Sequence, residues 1–126
     1  MSMQKEGFLT LANELASGAT ESHWRSSVSR AYYCAYHGCK DWYGALPSPG
    51  SNTGPAGGMH QQLVNRLCNP APEVKNDARF TSKVLGAKLD MLRIHRLKAD
   101  YALDDSFDAV QAARACSQAK EILSKL

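Results

Sequence analysis

The stretch ARFTSKVLGAKLDMLRIHRLKADYAL, residues 78–103, carries the apolar pattern that decides the fold. Its apolar side chains recur at alternating steps of four and three residues, which places them along one face of an α-helix. This apolar seam contains Leu85, Leu89, Leu92, Arg96, Ala99 and Leu103. The pattern predicts a long helix that packs against other helices and has an arginine where a leucine would be typical.

The rest of the chain has helical periodicity and no strand-like alternation. Further helices are predicted over residues 4–16, from a cap at Thr20 or Ser22 to residue 43, over residues 59–68, and from a cap at residues 104–106 to residue 125. Residues 45–58 are rich in glycine and proline, which predicts a flexible loop. The predicted fold is all-α: one domain over residues 1–126, an antiparallel up-and-down bundle of four long helices plus one short helix.

The composition is that of an ordinary globular domain. Of the 126 residues, 44% are hydrophobic and 21% are charged, and the net charge is +3. No apolar run is long enough to span a membrane, and residues 1–5 do not have the pattern of a signal peptide. We therefore expect a cytoplasmic protein without membrane contacts. The four cysteines form no CxxC pair, so we expect free thiols and neither a metal ion nor another cofactor.

The second predicted helix contains the unusual segment SRAYYCAYH, residues 29–37. His23, Arg30 and His37 are seven residues apart, so they lie on nearly the same face of that helix. Such a face presents cations and proton-transferring groups to a partner helix, a phosphate or a substrate. The combination would suffice for metal-independent RNA cleavage, in which the ribose 2′-hydroxyl attacks the adjacent phosphate. For the three tyrosines of this segment, we expect at least two to pack in the core.

Arg96 in the apolar seam has two main interpretations. An unpaired buried charge is costly, and Asp100, one helical turn away, is the nearest partner in sequence. The pair would then be structural and fix the register of the bundle. Alternatively, the guanidinium lies in a cleft and binds phosphate, a role that suits its planar set of donors. A surface position through a different helix register is the third interpretation.

Two sequence elements together resemble small bacterial HEPN-domain proteins. SRAYY at residues 29–33 followed by His37 is similar to the family's SRAYYxxxH signature, and RLKADY at residues 96–101 is similar to its RxxADY element. The glycine-rich loop leading to His60 resembles the segment between the two elements. The resemblance covers about residues 5–125.

The resemblance implies an antiparallel helical bundle that dimerises through its long helices. Many HEPN domains are metal-independent endoribonucleases of toxin–antitoxin, CRISPR and anti-phage systems, and they use an arginine followed closely by a histidine. Some pair with a nucleotidyltransferase antitoxin that adenylylates a tyrosine near the motif. Here the motif is degenerate, because Tyr101 follows Arg96 where the family has histidine, while Arg30 and His37 satisfy the spacing on an earlier helix.

We therefore predict a HEPN-like homodimer that acts on or binds RNA or nucleotides in a toxin–antitoxin or anti-phage module. Arg30 and Arg96 would bind phosphate, and His37 would act as acid or base. Asp100 would orient an arginine, and Tyr101 would be a modification site or hydroxyl donor. The supporting residues of the predicted site are Asp100, Tyr101, Tyr33 and His60. The alternatives are a non-catalytic interaction module that partners a nucleotidyltransferase or other effector, and a nucleotide-binding regulator.

Overall fold

A computed structural model describes residues 4–126 of the chain, and residues 1–3 of the predicted domain lie outside it. Within this range all regular secondary structure is helical, with five helices and no strand, which confirms the all-α prediction. No helix in residues 4–126 combines the length and the apolar character needed to cross a membrane. The helices are α1 (Lys5–Ala16), α2 (Glu21–Gly44), α3 (Met59–Cys68), α4 (Asn76–Tyr101) and α5 (Ala109–Leu123).

The long helix α2 runs antiparallel to both α1 and α4. Near its start, Oγ of Ser27 donates a hydrogen bond of 2.7 Å to the Ala12 carbonyl late in α1. Near its end, Gly38 lies against the side chain of Lys5, the first residue of α1. On the other side, Ser29 contacts Asp100 and Tyr33 contacts Arg96. Residue numbers therefore increase along α2 while those of the contacting residues decrease along α4, so these two helices are antiparallel. The successive long helices α1, α2 and α4 therefore alternate in direction.

The predicted apolar seam of α4 forms the centre of the core. Leu85, Leu89 and Leu92 are fully buried, and Ala99 is nearly so. Small residues of α5 pack in the same cluster, which allows the helix axes to approach closely. The prediction for Leu103 was wrong: this side chain is 73% exposed because α4 ends at Tyr101, before the seam would reach it.

The start of the last helix also differs from the prediction. Its N-cap is Asp108 rather than a residue of the segment 104–106. Asp108 Oδ1 accepts from the Gln111 backbone N–H, and the Gln111 side chain accepts from the Asp108 N–H, each at 2.9 Å. This reciprocal pair is a capping box. It begins after Phe107, whose burial keeps residues 102–107 as a connecting turn instead of a helix. At α2 the predicted cap Thr20 is confirmed, since its hydroxyl accepts from the His23 N–H.

The glycine-rich loop, residues 45–58, makes specific contacts with the neighbouring helices. Nδ2 of Asn65 on α3 donates to Oδ1 of Asn52 and to the Pro55 carbonyl, at 3.0 and 2.9 Å. The Arg66 guanidinium donates to the carbonyl of Gly50, and the backbone N–H of Gly50 donates to the Tyr43 hydroxyl. These contacts fold the chain back, so that α3 begins beside the middle of α2.

Candidate functional site

A cleft of about 480 Å³ lies where α1, α2 and α4 meet. On α2 the lining residues follow one another at helical spacing, and on α4 they are one turn apart, so each helix contributes a continuous face. We call it the Arg96 cleft. Its lining residues are Phe8, Ser29, Arg30, Tyr33, His37, Arg96 and Asp100.

Arg96 is held by two polar partners at the floor of this cleft. Its Nη2 donates a hydrogen bond of 3.0 Å to the Tyr33 hydroxyl. Its Nε lies 2.7 Å from Oδ2 of Asp100 and forms an ion pair, but the N–H is not aimed at that oxygen. The side chain is only 16% exposed. A guanidinium has five N–H donors, so this arrangement fixes the group in place and leaves donors for a ligand.

Asp100 links the two long helices at the same point. Besides the ion pair with Arg96, its Oδ2 accepts a hydrogen bond of 3.5 Å from Oγ of Ser29 on α2. The predicted pairing of Arg96 with Asp100 one turn away is thus confirmed. The surface interpretation of Arg96 is excluded, because the guanidinium faces α2 rather than solvent.

Arg30 and His37 complete the wall that α2 contributes. The His37 ring stacks on the ring of Phe8 from α1, with 5.5 Å between centroids, and lies 6.3 Å from the Tyr33 ring. Arg30 forms no ion pair with any carboxylate in the described part of the chain. The cleft therefore contains the ion pair of Arg96 with Asp100, a second guanidinium that forms no ion pair within the described residues, and one imidazole.

His23, the first member of the predicted stripe, does not join them. It is exposed near the start of α2, and its Nδ1 lies 2.6 Å from the hydroxyl of Thr20. The stripe of three residues is thus reduced to Arg30 and His37, because the cleft extends along α2 only from Ser29 to His37.

His60 lies behind the cleft and contacts the buried tyrosines. Its Nδ1 is 2.6 Å from the Tyr32 hydroxyl, and its ring centroid is 4.2 Å from that of Tyr36. Burial lowers the pKa of His60, and the positive charges of Arg96, Arg93 and His37 lower it further. Burial, reinforced by the neighbouring Tyr36 hydroxyl, raises the pKa of Tyr32 far above its usual range. This pair is therefore a neutral hydrogen bond inside the bundle.

The tyrosines near the cleft differ in how far they are buried. Tyr32 and Tyr36 are buried, which confirms that at least two tyrosines of the segment pack in the core. Tyr33 is half-buried and reaches the cleft. Tyr101 is 69% exposed, and its ring centroid lies 5.8 Å from the guanidinium carbon of Arg96. The Tyr101 hydroxyl is thus accessible beside the arginine.

The cysteines do not contribute to the site. Burial raises the pKa of Cys34 to about 11 and that of Cys39 to about 12, so both thiols are protonated at neutral pH. Between residues 4 and 126, no three side chains of the types His, Cys, Asp and Glu are grouped so as to hold a metal ion. All four cysteines are free thiols.

Sequence reasoning missed two residues at the site. Phe8 lies within the helix predicted over residues 4–16, and nothing in that segment indicated that its ring would pack against His37. Arg93 borders a second cavity on the other side of Arg96, beside His60. Both placements depend on how separate helices pack, although a cationic residue three positions before Arg96 is a signal that helical spacing offers.

The Arg96 cleft contains groups suited to an anionic ligand. Planar guanidinium groups bind phosphate oxygens bidentately, and an imidazole transfers protons near neutral pH. Comparison of the chain with family models, with curated proteins and with solved structures gave no match.

Proposed function

We propose that this protein is a HEPN-like helical protein whose Arg96 cleft binds the phosphate backbone of RNA and cleaves it without a metal ion. The observation that carries the proposal is the convergence of Arg30, His37 and Arg96 in one cleft. These residues come from two helices and are up to 66 positions apart in sequence. The resemblance of residues 29–37 and 96–101 to the HEPN elements supports the same conclusion.

The proposed binding step uses the two arginines. Arg30 forms no ion pair in the described chain, and Arg96 is oriented by Asp100 and Tyr33. A phosphate between them would receive charge-assisted hydrogen bonds from both, which are stronger than bonds between neutral groups. Because Arg96 is fixed before the ligand arrives, little side-chain entropy is lost on binding.

The proposed chemical step is transesterification within the RNA. The ribose 2′-oxygen attacks the adjacent phosphorus, the bond from phosphorus to the 5′-oxygen breaks, and a 2′,3′-cyclic phosphate and a 5′-hydroxyl are formed. His37 accepts the proton of the 2′-hydroxyl or supplies one to the leaving oxygen, and solvent handles the other transfer. Arg30 and Arg96 stabilise the negative charge that develops on the phosphorane oxygens.

The proposed assembly is a homodimer formed through α4. An outer stripe of this helix points away from the core, with residues three, four or seven apart in sequence. Its members are exposed: Phe80, Ala87, Met91 and Ile94. A second copy seated on this stripe would cover its apolar side chains. In a toxin–antitoxin or anti-phage module, a nucleotidyltransferase partner would find the exposed hydroxyl of Tyr101 next to the cleft.

Incubation of the purified protein with total RNA in the presence of EDTA tests the proposal. We expect cleavage to products that end in a 2′,3′-cyclic phosphate. His37→Gln should lower the rate at least about 100-fold, since acid–base catalysis contributes factors of that size. His23→Gln is the matched control, because His23 is on the same helix but outside the cleft. Absence of both binding and cleavage at low salt would contradict the proposal.

The non-catalytic interaction module has a specific observation in its favour. Arg96 already has an ionic partner and a hydrogen-bond partner inside the bundle, as a purely structural residue would. In that case Arg96→Ala would unfold or dissociate the protein, and RNA would be unchanged by the parent protein. A folded Arg96→Gln variant that loses RNA binding would instead favour the proposed function.

A further inference from the structure

A second, smaller cavity of about 250 Å³ lies on the opposite side of the Arg96 side chain. Its wall consists of the end of the glycine-rich loop, the first turn of α3 and one face of α4. We call it the Arg93 cavity. The residues that matter for its chemistry are Gly57, Gly58, His60, Arg93 and Arg96. Arg96 lines both this cavity and the Arg96 cleft, so the two spaces are direct neighbours.

The Arg93 cavity is electropositive even though its arginines have acidic partners. Arg93 donates through Nε and Nη2 to one oxygen of Asp90, at 3.0 and 2.8 Å. Nevertheless, no aspartate or glutamate lines the cavity in the described part of the chain. Burial lowers the pKa of His60 in this wall, and the charges of Arg96 and Arg93 lower it further. The first turn of α3 adds no acidic residue and no side-chain cap. The cavity therefore favours an anion.

We propose that the Arg93 cavity is a second phosphate subsite, so that the ligand is single-stranded RNA spanning at least two phosphates. This inference rests on the proposed function of the Arg96 cleft. Arg96 lines both spaces, and a guanidinium has donors enough for a phosphate on each side. Successive phosphates of a nucleotide chain are separated by a ribose, so a chain bound in the Arg96 cleft would bring its next phosphate to the Arg93 cavity. A nucleoside triphosphate is the competing ligand, because its α- and γ-phosphates are also not directly bonded, and the binding of ATP distinguishes the two.

Binding of non-cleavable ligands tests the subsite. A 2′-O-methyl tetrauridylate would occupy both subsites, and uridine 3′-monophosphate would occupy only the Arg96 cleft. Calorimetric titration between 50 and 200 mM NaCl gives the salt dependence of each affinity. The double variant Asp90→Asn/Arg93→Gln removes the ion pair and leaves the net charge unchanged. We expect it to reduce the slope of log K against log salt for the tetranucleotide by about 0.7, the value for one single-strand phosphate contact. The monophosphate affinity should not change.

The two single variants separate a ligand contact from a structural ion pair. Asp90→Asn leaves the arginine without its competing carboxylate, so tetranucleotide binding should tighten, whereas Arg93→Gln should weaken it. Lys83→Gln is the control for net charge, because Lys83 is exposed on α4 and lines neither cavity. If both single variants weaken binding equally in folded protein, the pair is structural and the subsite is refuted.

The remaining outcomes distinguish this inference from the proposed function. Binding of both ligands that is sensitive to Arg30→Gln but not to Arg93→Gln would refute the second subsite and leave the Arg96 cleft intact. No binding of either ligand by the parent protein would refute both. ATP binding that is tighter than tetranucleotide binding and sensitive to Arg93→Gln would refute the assignment to a nucleotide chain.

Discussion

Nη2 of Arg96 on α4 donates a hydrogen bond of 3.0 Å to the hydroxyl of Tyr33 on α2. The guanidinium carbon also lies 5.3 Å from the centroid of the same ring. Tyr33 therefore stabilises the cation both by a hydrogen bond to its hydroxyl and by a cation–π contact with its ring. This contact joins α2 and α4, two of the three helices that line the cleft. It also turns the arginine of the apolar seam toward the space that Arg30 and His37 border.

Tyr33→Phe tests this relationship directly. The ring and its packing remain, but the hydrogen bond is lost, so we expect the free energy of unfolding to fall by about 1 kcal/mol. RNA affinity should fall more than this stability change implies, because Arg96 loses one of its two orienting partners. Urea denaturation and fluorescence anisotropy with labelled RNA measure the two effects. Tyr43→Phe is the matched control, since within residues 4–126 the Tyr43 hydroxyl accepts one hydrogen bond, from the backbone N–H of Gly50, and is not part of the cleft. Equal RNA affinity for the Tyr33→Phe variant and the parent protein would contradict the orienting role.

Arg25 stabilises the end of α4 that carries Asp100. Its guanidinium donates to the carbonyls of Lys98, Ala99 and Ala102 at 3.0–3.1 Å, and also to that of Asp105. The last carbonyls of a helix have no partner within the helix, so a cation there supplies both hydrogen bonds and a favourable charge. The guanidinium also lies 4.6 Å from the Phe107 ring centroid.

We therefore expect Arg25→Met to lower the free energy of unfolding by about 3 kcal/mol, since several charge-assisted hydrogen bonds are lost while the side-chain stem remains. Chemical denaturation followed by circular dichroism measures the change. Arg114→Met, at an exposed position on α5, should change stability by less than about 0.5 kcal/mol. Similar losses for the two variants would show that the carbonyl contacts contribute little.

Much of the fold could be predicted because local patterns determine it. The seam of α4 follows from the spacing of its leucines, and the Asp100 partner of Arg96 is one turn away on the same helix. The start of α5 was also readable, since Asp108 and Gln111 have the spacing of a capping box. It was missed because three polar residues at 104–106 offer a competing cap, and the burial of Phe107 decides between them.

The architecture of the site was less accessible to sequence reasoning. The partners Tyr33 and Arg96 are 63 positions apart, and Arg25 reaches carbonyls more than 70 positions away. Such contacts depend on the relative rotation of packed helices, which periodicity alone does not determine. The Phe8 ring beside His37 and the division of the cationic region into two cavities by Arg96 are consequences of that packing.

Substitutions in the outer stripe of α4 test the proposed homodimer. Met91 and Ile94 are exposed neighbours on one face of the helix, so glutamates at both positions should leave the monomer folded. They would place charge in the proposed interface, and we expect the molar mass measured by light scattering to fall from dimer to monomer. Met59→Glu, on α3, is the control, because Met59 is equally exposed but outside the stripe. A parent protein that is monomeric at all concentrations would contradict the dimer.

The packing of α3 on α4 depends on the absence of a side chain at Gly86. A methyl group there would lie 2.6 Å from Sγ of Cys68 and 3.1 Å from Cβ of Leu67. We expect Gly86→Ala to lower the free energy of unfolding by about 1–3 kcal/mol, the usual cost of overpacking a core. Gly44→Ala at the end of α2 is the control, because its methyl group would meet no atom within 4 Å. Thermal denaturation of both variants measures the difference. A Gly86→Ala variant as stable as the parent protein would show that α3 and α4 can move apart at this position without loss of stability.

His60 should make the stability of the protein depend on pH in a defined direction. Burial and the neighbouring cations lower the pKa of the folded-state imidazole below the ordinary histidine value of about 6.5. As pH falls through 6.5, the unfolded chain therefore binds a proton before the folded chain does, and stability decreases. The contribution of neutral His60 is complete above pH 6.5 and is lost as pH falls toward the folded-state pKa. His95, whose pKa is also lowered by burial, acts in the same direction.

Urea denaturation between pH 5 and 8 measures this dependence. We expect the parent protein to lose stability below pH 6.5 and His60→Gln to lose less, because glutamine does not titrate. Its amide can still hydrogen-bond to the Tyr32 hydroxyl, so the variant should remain folded at pH 8. His95→Gln should reduce the slope independently, and the double variant should show the sum of the two effects. A His60→Gln variant with the slope of the parent would mean that the imidazole in contact with Tyr32 takes up its proton equally well in the folded and unfolded chains.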